Sequence, residues 1–151
     1  MIKDYDAWMG MVPVVLAQQY SHKDSCLYAL SVGCGMDPAD DWMRRYLGPL
    51  PPEQALPGMA TVLAAPRLHA IGLGVTLSGV LHGNQGLVAH APLPTEGHVR
   101  SESRVESVFD RGEGRGCLIN MVRELRDENS GTHYASMQMT YICRSDQVAG
   151  A

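Results

Sequence analysis

Val99-Arg-Ser-Glu-Ser-Arg-Val-Glu-Ser-Val-Phe109 alternates without a break. Val99, Ser101, Ser103, Val105, Ser107 and Phe109 fall on one side, and Arg100, Glu102, Arg104 and Glu106 on the other. A period of two with every charge on one side predicts a β-strand half open to water. Two more strands follow closely, over residues 117–125 and 134–143, with Ala135, Met137, Met139, Tyr141 and Cys143 sharing one side of the last. The runs Asp110-Arg-Gly-Glu-Gly-Arg-Gly116 and Asp127-Glu-Asn-Ser-Gly131 are rich in turn formers and join them. Connections this short link antiparallel neighbours, because a parallel crossover takes a dozen or more residues. Residues 80–91 read as a further strand, ended by Pro92-Leu-Pro94.

One face of such a sheet is apolar and needs a cover. Upstream, Ser21 and Asp24 have the spacing of a helix-start capping box. Leu27, Leu30, Ser31 and Cys34 then form one stripe, and Tyr28, Val32 and Gly35 a neighbouring one, before Gly33 and Gly35 end the helix. A helix apolar on most of its surface is expected to be enclosed. The predicted fold is therefore α+β, a curled antiparallel sheet wrapped around one central helix. A short helical turn is expected over 41–47, among many prolines. Residues 59–65 fit a strand or a short buried helix equally, and 68–78 are ambiguous. Residues 1–144 form one expected domain, with 145–151 as a flexible tail.

The 151 residues suffice for one core. Lys+Arg 12 against Asp+Glu 16 gives a net charge of -4, which argues against a broad phosphate-binding surface. With one Phe and two Trp, aromatic stacking on nucleic acid has little to work with. No 18-residue apolar run is present, so no membrane helix is expected. Lys3, Asp4 and Asp6 interrupt the first residues, which predicts no secretory leader and a cytoplasmic chain with reduced thiols. Cys26, Cys34, Cys117 and Cys143 form no CxxC, and the histidines show no ligand spacing, so no metal is expected.

Four ordered blocks carry a resemblance. Tyr28-Ala-Leu-Ser-Val-Gly33, Val80-Leu-His-Gly-Asn-Gln85, Pro92-Leu-Pro-Thr-Glu-Gly97 and Asp110-Arg-Gly-Glu-Gly114, with Leu56-Pro57 between them, resemble the N-terminal half of the MaoC-like hydratase 2 family. These are (R)-specific enoyl-CoA hydratases built from hot-dog folds, and the resemblance spans roughly residues 20–143. It implies a hot-dog fold and an acyl-CoA-binding half that lacks the catalytic residues. The Asp and His of the reaction would lie in a partner hot-dog subunit, or a missing second half, carrying Asp-x-Asn-Pro-x-His. The nearest segment here, Met36-Asp-Pro-Ala-Asp-Asp41, has no His. The implied assembly is a heteromer or a dimer of heterodimers, and the implied reaction is reversible hydration of a 2-enoyl-CoA to a 3-hydroxyacyl-CoA. Hydration needs a base for water, an acid for the α-carbon and donors for the enolate. No cofactor is implied, since the coenzyme A thioester is itself the substrate.

The resemblance also implies site residues. His82 and Gly83 stand where the family contacts its thioester ligand, although His82 also fits a hydrogen-bonded strand histidine. Arg111 stands where the family has a lysine that meets coenzyme A, with Arg115 close by; both also fit a solvated turn. Tyr28 and Asp24 are secondary candidates, for which core packing and helix capping are the alternatives. Small Ala29, Ser31, Gly33 and Gly35 leave room for an acyl tail, fatty, steroid or polyketide, or simply for close packing. Rival readings are a homodimeric hydratase or thioesterase active alone, and a non-enzymatic acyl-CoA or polyketide-intermediate scaffold.

Overall fold

A computed structural model describes residues 2–37, 39–40, 45–47 and 54–149. The strands are β1 (Ile2–Asp4), β2 (Val14–Tyr20), β3 (Val80–Ala89), β4 (Gly97–Asp110), β5 (Cys117–Asp127), β6 (His133–Cys143) and β7 (Gln147–Ala149). Two helices, α1 (Tyr5–Met9) and α2 (His22–Ser31), and three 3₁₀ turns at Pro57–Thr61, Leu68–Ile71 and Leu77–Gly79 complete the described elements. The helical turn expected over 41–47 and the segment at 36–41 fall partly outside the described residues.

Five strands form one antiparallel sheet in the order β2-β4-β5-β6-β3. The three consecutive strands β4, β5 and β6 are neighbours, as their short connections require. β1 and β7 form a separate parallel pair. Of the segment expected as a flexible tail, residues 146–149 enter the fold: Asp146 and Val148 are buried, and Asp146 accepts hydrogen bonds from the Thr76 backbone N–H at 2.8 Å and its hydroxyl at 3.1 Å.

The expected wrap around a central helix is overturned. The sheet is open, with β2 and β3 at its two edges, and α2 is not enclosed by it. Of the helix only Ser25 and Ala29 are buried, while Leu27 and Leu30 are 53% and 55% exposed. The two small residues face inward and the leucines face out, the reverse of what total apolar content suggested. Ser25 Oγ donates to the Thr95 carbonyl at 2.6 Å, tying α2 to the loop before β4. The ambiguous 59–65 run supplies much of the cover instead, as the turn Pro57–Thr61 and the following loop.

Two apolar clusters sit on the covered face. One gathers Leu63, Val99, Leu125, Tyr134 and Met137, the other Trp8, Ile71, Ile119, Met121 and Met139. A bulge between Val105 and Ser107 changes which residues of β4 face in. Past it Val108 is buried and Phe109 exposed, so the unbroken alternation misplaces the last residues of the strand. Loop 62–66 is pinned over the sheet at Ala64, whose φ is +46°. Its N–H donates to Gln18 Oε1 at 2.6 Å and its carbonyl accepts from Ser101 Oγ at 2.5 Å. Those bonds offset a backbone conformation that costs an L-residue about 1 kcal/mol or more.

The β4–β5 hairpin gives a direct test. Gly116 has φ +74°, and a Cβ there would overlap the Cys143 carbonyl oxygen, whereas Gly114 at φ +72° has open space around it. Gly116→Ala should cost about 3 kcal/mol or more and Gly114→Ala about 1 kcal/mol. In thermal unfolding that is about 2–4 °C per kcal/mol for a chain of this size. Equal shifts would show that the hairpin is not seated on β6.

Candidate functional site

Where the two apolar clusters meet, a cleft of about 160 Å³ opens on the covered face of the sheet. Strand register explains its lining. Ser103 pairs with Arg123, Arg123 with Met137 and Met137 with Leu87, making one row across four strands. The next row holds Val105, Met121, Met139 and Gln85, and beyond it lie Ile119, Tyr141 and His82. From these rows Ser103, Arg123, Met121, Met139, Gln85, Tyr141 and His82 reach the cleft, with Thr61 and Ile71 from the covering turns. His82 and Gln85 form its exposed end, and Ser103 and Arg123 its buried end.

Arg123 is 1% exposed. Its Nη2 donates to the carbonyls of Ala60 at 3.2 Å and Thr61 at 2.5 Å, at the end of the Pro57–Thr61 turn. Burial pushes its pKa down, with the Tyr141 hydroxyl pulling the other way. A guanidinium nevertheless stays charged at neutral pH. Burial likewise raises the Tyr141 pKa, countered by Arg123, so the phenol is a neutral donor.

His82 lines the cleft and its ring lies 5.2 Å from that of Tyr141. His82 Nε2 lies 3.1 Å from the Asn84 carbonyl oxygen. A carbonyl only accepts, so Nε2 carries the proton and, in the neutral ring, Nδ1 is left as acceptor. Gly83 occupies a bulge of β3, and a Cβ there would come within 3.0 Å of the Ile142 side chain and 3.3 Å of the Thr140 carbonyl. The close approach that this glycine permits is therefore to β6.

Arg111 and Arg115 are exposed in the β4–β5 hairpin, where Arg111 Nη1 donates to the Arg115 carbonyl at 3.2 Å. Asp110, Cys117, Cys143 and Val80 share a row, so this hairpin and His82 lie at the same end of the sheet. Three strand spacings separate β4 from β3, about 14 Å. Tyr28 and Asp24 are not among the residues lining the cleft. Asp24 completes the capping box, accepting from the Ser21 N–H at 2.8 Å and hydroxyl at 2.7 Å. The Ser21 hydroxyl and N–H bonds hold its pKa below the ordinary value, an effect that Lys23 augments against a small burial penalty. Tyr28 is half-buried, its hydroxyl beside Gly58.

Arg123 and Ser103 were absent from the sequence-based candidates. The signal was present: the alternation that buries Cys117, Ile119, Met121 and Leu125 also carries Arg123 inward. A second polar group, on the opposite face, escaped notice because it joins three separate stretches of sequence. His133 Nε2 meets Glu124 Oε2 at 2.6 Å, Ser136 Oγ donates to the same oxygen at 2.6 Å, and His90 Nε2 lies 2.8 Å from Ser136 Oγ. Burial pushes the Glu124 carboxyl up, but these bonds and the charges of His133 and Arg126 outweigh it and hold the pKa below 4.5.

Comparisons with known proteins agree on one relationship. The model of the MFE-2 hydratase 2 N-terminal domain matches residues 18–145. The chain is 29% identical over 138 residues to 3-hydroxyacyl-thioester dehydratase Y of Mycobacterium tuberculosis, covering 90% of this chain and 47% of that protein. The chain thus spans about half the length of that curated relative. Among solved structures, the MaoC-like dehydratase from Phytophthora capsici superposes with a TM-score of 0.73 at 20% identity, over 93% of this chain and 49% of that one. A chain of the ChsH1–ChsH2 complex from Mycobacterium tuberculosis does so with a TM-score of 0.63 at 19% identity, over 93% and 90%.

The Glu124 network carries a pH prediction. A carboxyl whose folded pKa is depressed contributes stability that is present above its unfolded value and is lost as pH falls through the folded one. Thermal stability should therefore decline from about pH 4.5 downward. Glu124→Gln should be less stable at neutral pH and flatter over that acid range; a parallel acid limb would remove Glu124 from the account.

Proposed function

The chain belongs to the family of MFE-2 hydratase 2 N-terminal domains, and from that we propose that it is the acyl-CoA-binding half of an enoyl-CoA hydratase. The reaction is the reversible hydration of a 2-enoyl-CoA to a 3-hydroxyacyl-CoA. A partner chain of the same family, or a second half, supplies the Asp and His that deliver water and move protons. The observation that carries this reading is the lining of the cleft. Among the described residues it offers donors and apolar contacts but no carboxylate, so it can hold a polar acyl ligand without the proton-transfer pair that hydration demands.

His82 stands at the cleft mouth, where it contacts the ligand at the thioester end. Arg111, with Arg115 as a secondary contact, reaches the phosphates of coenzyme A from the same end of the sheet. An Arg side chain meets a phosphate as a bidentate fork. Gly83 shapes the β3 bulge that aims His82, and Tyr28 and Asp24 serve the helix that frames the site.

The partner docks at the β3 edge. Along it Leu81, Leu87 and Val88 are exposed, and the outer backbone groups of β3 face no further strand among the described residues. An exposed apolar edge strand is a surface that a companion sheet would cover. The near full-length likeness to one chain of the two-part ChsH1–ChsH2 complex supports a separate companion chain.

The test is to express the chain alone and together with a neighbouring hydratase chain that bears Asp-x-Asn-Pro-x-His, then assay short, long and steroid enoyl-CoA substrates. Turnover should require both chains. In the pair, Arg111→Ala should raise KM about fivefold with kcat nearly unchanged, the loss of one exposed contact of about 1 kcal/mol. Enzyme-like turnover by the chain alone would end the reading.

A further inference from the structure

Two polar atoms at the closed end of the cleft have no partner: Arg123 Nε and Ser103 Oγ, both fully buried. Their residues are each 1% exposed and sit directly opposite one another on β5 and β4. Both side chains line the cleft. Among the described residues no carboxylate pairs with Arg123; its bonds run to two backbone carbonyls, which are neutral. A buried cation without a counter-charge is a costly arrangement. The sequence had a cheap alternative, an apolar residue continuing the Met121–Leu125 alternation. A charged residue here instead makes chemical sense if its missing partner arrives with a ligand.

We propose that Arg123 and Ser103 form a carboxylate-binding site at the bottom of the cleft, so that the acyl group held here ends in a carboxylate. Each of the two atoms has less than 1 Å² open in this structure, so the carboxylate is met by a side-chain shift in which one of its oxygens accepts from Arg123 Nε–H and the other from Ser103 Oγ–H. The size fits: about 160 Å³ compares with the roughly 150 Å³ that admits benzene, or about six heavy atoms. A carboxylate and three methylenes fill that space. Met121, Met139 and Ile71 line the path for the methylenes, and Gln85 and His82 stand at the mouth. With the thioester carbonyl at the mouth, the ligand is then the monothioester of a dicarboxylic acid of five or six carbons. The thioester end rests on the acyl-CoA reading above, whereas the carboxylate site stands without it.

Calorimetric titration of the full chain with adipyl-CoA, hexanoyl-CoA and free adipate separates these claims. Adipyl-CoA should bind about tenfold or more tighter than hexanoyl-CoA, as a charge-assisted buried pair implies. Arg123→Gln should abolish the preference, Arg123→Lys should retain part of it, and Ser103→Ala should reduce it about threefold. Should Arg123→Gln fail to fold, the wild-type ratio and Ser103→Ala decide. Equal affinity for the two esters, or tighter binding of hexanoyl-CoA, overturns the site. Binding of adipate but of neither ester, weakened by Ser103→Ala, keeps the carboxylate site and sinks the coenzyme A reading. No binding of adipate or adipyl-CoA overturns the site.

Discussion

The guanidinium of Arg123 holds the covering turn to the sheet. Its Nη2 takes the two carbonyls at the end of Pro57–Thr61, groups that a 3₁₀ turn leaves free, and so fixes the turn above β5. Ser101 and Gln18 add a second hold one turn further on, at Ala64. These polar anchors act together with the buried Met59, Ala60 and Leu63 of the cover, which pack into the apolar cluster beneath them. On β5 the same cation stands between Leu125 of one apolar cluster and Met121 of the other, and Ser103 opposite it adds a second buried polar group to the cleft. Architecture and site thus share one residue.

Much of the sheet was legible because alternation is a local property. The period of two over residues 99–109 and the compact turns after it gave three strands and their antiparallel order, and β3 began where the Leu-His-Gly block suggested. The cover was less legible because it depends on which side of a helix wins. Composition made α2 an enclosed helix, but Ser25 and Ala29 pack inward while Leu27 and Leu30 face outward. Nothing in a helical stripe reveals that the smaller face is preferred; that choice is made by the space beneath loop 91–96 and the 3₁₀ turn. β7 escaped for a related reason. Three residues carry no period, and their strand exists only because β1 lies alongside.

The candidate site was half visible. His82 lay in a motif that could be matched, and the cleft has it at its mouth. Arg123 sat within a run whose alternation pointed inward, yet a charge in such a run invites assignment to the solvated face. Ser103 and Tyr141 look like ordinary strand residues until register sets them beside the cation. The network of Glu124, His133, Ser136 and His90 is of the same kind. Its members are separated in sequence and meet only where β5, β6 and the residue that follows β3 come together.

The clasp between β1 and β7 couples the two ends of the chain. Ile2, Lys3 and Asp4 pair with Gln147, Val148 and Ala149, and just before them Asp146 is locked to Thr76. The ends therefore fray together or not at all, and their amide protons should exchange as one unit. Any extension attached ahead of β1 is also attached beside β7, and its drag is transmitted through Asp146 to the loop that leads into β3.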